Sequence, residues 1–161
     1  MAPAGSFESL AAALQGGADS VYFGIGKLNM RSRATANFAE EDLPEIVARC
    51  HETGAKAYLT LNIIVYDEEL ETVRNLCAAA KAAGVDAVIA SDLAVITHAH
   101  SIGLEVHMSV QANVCNMASV RFYAQYADVV VLARELTLGQ IRRIIDGIRD
   151  EGIRLSLIHI S

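Results

Sequence analysis

Residues 56–65 read KAYLTLNIIV, and the parity of this run decides the fold. In an extended chain alternate side chains point to opposite faces. Leu59, Leu61, Ile63 and Val65 then make one wholly apolar face, while Tyr58, Thr60 and Asn62 share the other. A later run repeats the division. Val106, Met108 and Val110 fall on one side, and Glu105, His107, Ser109 and Gln111 on the other. A sheet covered by helices on both faces would favour strands apolar on both sides. One-sided polarity instead suits a barrel with helices outside and polar groups at its mouth. Glu105, at the start of its strand, is expected to cap that end rather than reach the mouth.

Outward from these runs, short β-branched or aromatic stretches alternate with amphipathic helical ones, each helix closed by glycine or another breaker. A stub at 1–4 precedes a helix near 6–15, with Phe7, Leu10 and Leu14 at helical spacing and Gly16-Gly17 after it. A strand over 20–24 leads through a polar loop to a helix near 40–53, with Leu43, Ile46, Val47 and Cys50 on one face. Pro44 falls in its first turn, where an amide has no helical acceptor to lose. The strand at 56–65 leads to a helix capped by Asp67, with Leu70, Val73, Leu76 and Ala80 inward. Strands over 87–90, 105–109 and 129–132 each lead to a helix; the last is opened by Thr137 and is expected to turn Leu138, Ile141, Ile144, Ile145 and Ile148 inward. The expected class is α/β: a parallel (β/α) TIM-type barrel, incomplete, of about six βα units.

Composition narrows the function classes. The chain has 161 residues, 53% hydrophobic and 20% charged, with only two prolines, which excludes a disordered or low-complexity protein. It carries no long uncharged apolar run and no basic-then-apolar leader, so a soluble, cytoplasmic protein without a membrane partner is expected. Cys50, Cys77 and Cys115 are odd in number and widely spaced, against a disulfide framework or a self-contained metal site. The net charge of -6 disfavours a free-standing nucleic-acid binder, which needs clustered Lys and Arg.

In a parallel barrel the loops after the strands build the site. Those exits carry Lys27, Asn29 and Arg31; then Asn62; Ser91 and Asp92; His107, Ser109, Gln111 and Asn113; and Arg134 with Glu135. His107 is the acid/base candidate, because a free imidazole titrates near neutrality. Asp92 could equally cap its helix, and Asn62 could satisfy a loop amide. Lys27, Arg31 and Arg33 could hold a carboxylate or phosphate. Gly24-Ile25-Gly26 is not a dinucleotide fingerprint, since Asn29 takes the third glycine position, and Ser109 lacks the G-x-S-x-G elbow.

Several motifs resemble the collagenase-like peptidase family (peptidase family U thirty-two), whose relatives include tRNA and rRNA hydroxylation proteins. They are A-P-A-G-S-F-E-S-L at Ala2 to Leu10, G-A-D-S-V-Y-F-G at Gly17 to Gly24, the Arg31 loop ending Asn37-Phe38, and L-T-L-N at Leu59 to Asn62. A-S-D at Ala90 to Asp92, H-x-S-x-Q at His107 to Gln111, Asn116, and V-L-A-R-E-L at Val131 to Leu136 complete the set. The resemblance implies a catalytic barrel with His107, Asp92 and Glu135 as catalytic groups. Arg31, Asn62, Ser109, Gln111 and Arg134 would bind substrate, and no residue is assigned to a metal.

The resemblance leaves two activities open: a peptidase acting on peptides, or an RNA base hydroxylation protein using a small carboxylate metabolite such as prephenate. Family members continue into an H-G-A-x-C-x-x-Y-S-G-x-C type segment not found here, so this chain should hold no cofactor. An iron–sulfur cluster or other metal could belong to the full-length protein. The expected organisation is a partial (β/α) barrel catalytic domain over 1–154 and a non-native tail over 155–161, where L-S-L-I-H-I-S looks like translated adaptor sequence. The third expectation is an inactive fragment, prone to self-association through open sheet edges.

Overall fold

The computed structural model describes residues 1–26 and 38–156. Among them, strands and helices alternate: β1 (Ala2–Ala4), α1 (Phe7–Gln15), β2 (Ser20–Phe23), α2 (Leu43–Glu52), β3 (Lys56–Leu61), α3 (Leu70–Ala83), β4 (Ala87–Ala90), α4 (Leu93–Ser101), β5 (Val106–Met108), α5 (Met117–Tyr123), β6 (Val130–Val131), α6 (Leu138–Ile148) and β7 (Leu155–Ser156). The first five strands form one parallel sheet in the order of the chain. Parallel bridges His107 to Val129 and Val114 to Leu132 carry that order on to β6, which pairs in parallel with β7. A doubly wound sheet reverses its strand order at a switch point, whereas a barrel never does. The observed order is that of a TIM-type barrel. No ladder among the described residues joins β7 to β1, so the sheet is open there.

Local chemistry explains most element boundaries. Ser6 caps α1 by accepting from the Ser9 N–H, and the Ser9 hydroxyl accepts from the Ser6 N–H in return. Thr137 and Gln140 make the same reciprocal pair at α6. Gly84 ends α3 at φ +83°, a backbone region that disfavours any side chain. The helix expected from Asp67 begins instead at Leu70. Residues Asp67–Glu69 form a 3₁₀ turn closed by the Glu69 carboxylate, which accepts from the Tyr66 N–H at 3.0 Å. Likewise Glu40–Asp42 is a separate turn ahead of α2, in which Pro44 occupies the first turn as expected.

The core lies between the sheet's outer face and the helices. Ala57, Leu59 and Leu61 of β3 are fully buried against it, as are Val106 and Met108 of β5. Leu43, Ile46, Val47 and Cys50 line the inward face of α2, Val73, Leu76, Cys77 and Ala80 that of α3, and Ile141, Ile144 and Ile148 that of α6. Leu138 and Ile145, expected inward, are instead exposed, because Leu138 opens the helix and, at about 100° of turn per residue, both fall to one side of the stripe made by the other three. Each fully buried Leu or Ile contributes about 1.5–3 kcal/mol of apolar transfer. The opposite parity faces the barrel interior, where the Tyr58 and His107 rings meet edge-on, 4.9 Å between centroids.

Two strands are shorter than their alternation suggests. β3 stops at Leu61, and Ile63 and Val65 lie in the following loop, half-buried. The Asp92 carboxylate accepts from the Val65 N–H and draws that backbone away from the ladder. β5 stops at Met108, because the Ser109 hydroxyl accepts from the Gln111 N–H and turns the chain into a 3₁₀ turn at Val110–Ala112. Asn113, at φ +50°, completes the reversal.

Candidate functional site

The strand exits converge as the parallel order requires. A cavity of about 310 Å³ opens at the C-terminal ends of β3, β4 and β5, lined by Asn62, Ile63, Ile64, Ser91, Asp92 and Gln111. Three expected site residues, Asn62, Asp92 and Gln111, therefore share one rim cavity. Both oxygens of Asp92 are engaged by backbone. Its Oδ1 accepts from the Ala94 N–H at 2.8 Å, capping α4, and its Oδ2 accepts from the Val65 N–H at 3.2 Å. That geometry makes Asp92 a brace between α4 and the β3–α3 loop, with neither oxygen aimed solely at the cavity.

His107 and Ser109 line a different space, a cavity of about 340 Å³ in the barrel interior that also contacts Ser20, Tyr58, Ile89 and Arg154. His107 lies one alternation step beneath Ser109 on the same face. Its Nε2 lies 3.0 Å from Glu105 Oε1, and an Arg154 terminal nitrogen donates to the same oxygen at 3.1 Å. Burial pushes the Glu105 carboxyl up, but the hydrogen bonds and charges of His107 and Arg154 outweigh it and hold the pKa below its ordinary value. Burial, with the negative charges of Asp86 and Glu105, pushes the Tyr58 hydroxyl up, opposed by Arg154. An imidazole held by a carboxylate at the wall of a cavity is an arrangement suited to moving a proton.

Arg134 and Glu135 lie on the exposed turn after β6 and line neither cavity. Arg31, with Lys27, Asn29 and Arg33, lies outside the described residues. Cys50 and Cys77 are buried in helices, and burial pushes both thiols up to about 11, so neither is a thiolate nucleophile near neutrality. Cys115 is exposed. Among the described residues no group of three His, Cys, Asp or Glu side chains is placed to hold a metal ion, and the three cysteines are too dispersed to hold a cluster.

Reading the sequence missed the partnership of Glu105 with His107 and with Arg154. The E-x-H alternation was the signal for the first half, since residues two apart on a strand share a face. Nothing local marks the second half, because the two residues are 49 positions apart.

A parallel sheet in barrel order, its polar side chains gathered on the inner face and at the strand exits, defines an α/β protein of the (β/α)-barrel class. The chain belongs to Peptidase family U32, which it matches over residues 5–157. It is 53% identical over 144 residues to a collagenase of Porphyromonas gingivalis, covering 89% of this chain and 35% of that protein. It is 41% identical to an uncharacterized protease of Methanocaldococcus jannaschii, over 98% of this chain and 38% of the relative. A tRNA hydroxylation protein P of Escherichia coli is 34% identical over 96% of this chain and 35% of its own length. The chain thus spans little more than a third of these relatives. Among solved structures the U32 peptidase Mk0906 matches with a TM-score of 0.75 at 15% identity, over 96% of this chain and 65% of its own, which supports the fold. No helix among the described residues is long and apolar enough to cross a membrane.

Proposed function

We propose that the chain forms part of the barrel of a hydrolase of the collagenase-like peptidase kind, with His107 as the general base that activates water in the interior cavity. The carrying observation is the His107 ring, held at Nε2 by Glu105 and walling a 340 Å³ space. The identity to a collagenase supports the substrate class, a peptide. Water serves as the nucleophile in this reading, because Cys50 and Cys77 are buried and the Ser109 hydroxyl lies in no serine-triad elbow. Ser109, in the same cavity as His107, would bind substrate at the reacting end, and Asn62 and Gln111 at the rim, with Arg134 and Arg31, would bind its remainder; Asp92 would hold the β3–α3 loop. In the whole protein, His107→Gln should lower cleavage of a fluorogenic collagen peptide by roughly 10²–10⁴-fold. Undiminished cleavage would overturn the proposal.

A second reading is favoured by the relatives named as hydroxylation proteins, including a 23S rRNA 5-hydroxycytidine C2501 synthase of Escherichia coli that is 36% identical over 80% of this chain. Under it the substrate is an RNA base, and the Arg31 to Arg33 loop binds a small carboxylate such as prephenate. Mass spectrometry of nucleosides from a strain lacking the gene separates the two. Loss of a hydroxylated pyrimidine with proteolysis intact supports the RNA reading, and an unchanged nucleoside profile removes it.

A further inference from the structure

Alternation along β5 puts Glu105 and His107 on the interior face, while Val106 and Met108 between and beside them are fully buried on the other. The side chain of His107 is only 13% exposed. From its own strand it meets the Glu105 carboxylate at 3.0 Å. From β3 it meets the edge of Tyr58. From the segment before β7, Arg154 donates to the same Glu105 oxygen and makes no hydrogen bond to the ring. Asp86, the other charge near Tyr58, bonds the Ala57 N–H and His51.

An ionised carboxylate can only accept hydrogen bonds. The ring nitrogen facing it must therefore carry the proton, and in the neutral imidazole the lone pair then belongs to the other nitrogen. Glu105 is ionised near neutrality, its pKa held below the ordinary value by His107 and then by Arg154, so this choice is enforced rather than shared.

We infer that Glu105 is a positioning residue that holds the proton of His107 on Nε2 and leaves Nδ1 as its basic atom. This deepens the proposal that His107 is the base, and rests on it for its catalytic meaning. The tautomer itself does not depend on that proposal.

The test is a two-bond proton–nitrogen correlation spectrum of the protein with ¹⁵N-labelled histidine, recorded at a mildly alkaline pH where an ordinary imidazole is neutral. His107 signals are assigned by their loss in His107→Gln. The unmodified protein should show the Nε2–H tautomer. In Glu105→Gln the carboxamide can donate as well as accept, so the spectrum should move to a mixture of both tautomers. Arg154→Leu leaves the carboxylate in place and should keep the Nε2–H form. An Nδ1–H ring in the unmodified protein overturns the inference even if Glu105→Gln does not fold, and so does an unchanged tautomer in a folded Glu105→Gln. In the whole protein, Glu105→Gln should also lower kcat by at least about ten-fold with KM unchanged. A tautomer shift seen alongside undiminished cleavage by His107→Gln would uphold the positioning and sink only the base.

Discussion

The two ends of the sheet use the same residue type for different ends. Where strands begin, Asp86 accepts from the Ala57 N–H of β3 and Asp128 from the Val106 N–H of β5, each at 2.8 Å. Each carboxylate ties the approach to one strand to the start of its neighbour. Where strands finish, Asp92 instead braces a helix and a loop, and the cavity beside it is faced by the amides Asn62 and Gln111 and by Ser91. An acidic residue at the rim is therefore not a catalytic acid by virtue of its place. Its oxygens must be traced to their donors first.

The largest break in this comparison should come from Asp86→Ala. It strands the Ala57 N–H and removes the partner of His51, which lies 2.9 Å from Asp86. A loss of about 1–3 kcal/mol is expected in urea unfolding; a loss below about 0.5 kcal/mol would mean that water replaces the clamp.

A sharper, smaller probe is Asp92→Asn. The asparagine carbonyl can still cap α4 at Ala94, but its amide cannot accept from Val65. Stability should fall by about 1 kcal/mol, with faster hydrogen exchange at Val65 and an unchanged rate within α4. Equal exchange at Val65 in the two proteins would show that the loop is held by something else.

The smallest effect is a pH dependence at Glu105. Its folded pKa lies below its ordinary 4.5, so its stabilising contribution is present above that value and is lost as pH falls through the lower folded pKa. The melting midpoints of the unmodified protein and Glu105→Gln should therefore differ near neutrality and converge below pH 4.5. A gap that widened on acidification would contradict the assigned direction.

Much of this was legible beforehand. The parity of residues 56–61 and 106–108 is a local, two-residue period, and the buried set Leu59, Leu61, Val106 and Met108 follows it. Thr137 as the opening of α6 was readable from a local signal too, since its capping partner Gln140 is three positions on. The rim was legible only as a set of exits. Asn62, Asp92 and Gln111 do meet, but His107 turns to Glu105 in a deeper cavity, and Arg134 and Glu135 stay on an exposed turn.

Sequence alone determined the alternation of strand and helix, the parallel order it implies, and which strand face is polar, because backbone geometry repeats every two or 3.6 residues. Tertiary structure decided where β3 and β5 stop, what Asp92 bonds, and which distant cation reaches Glu105. Those outcomes join residues as far apart as Val65 and Asp92, or Glu105 and Arg154, and no local period records which distant groups folding will bring within 3 Å or so of each other.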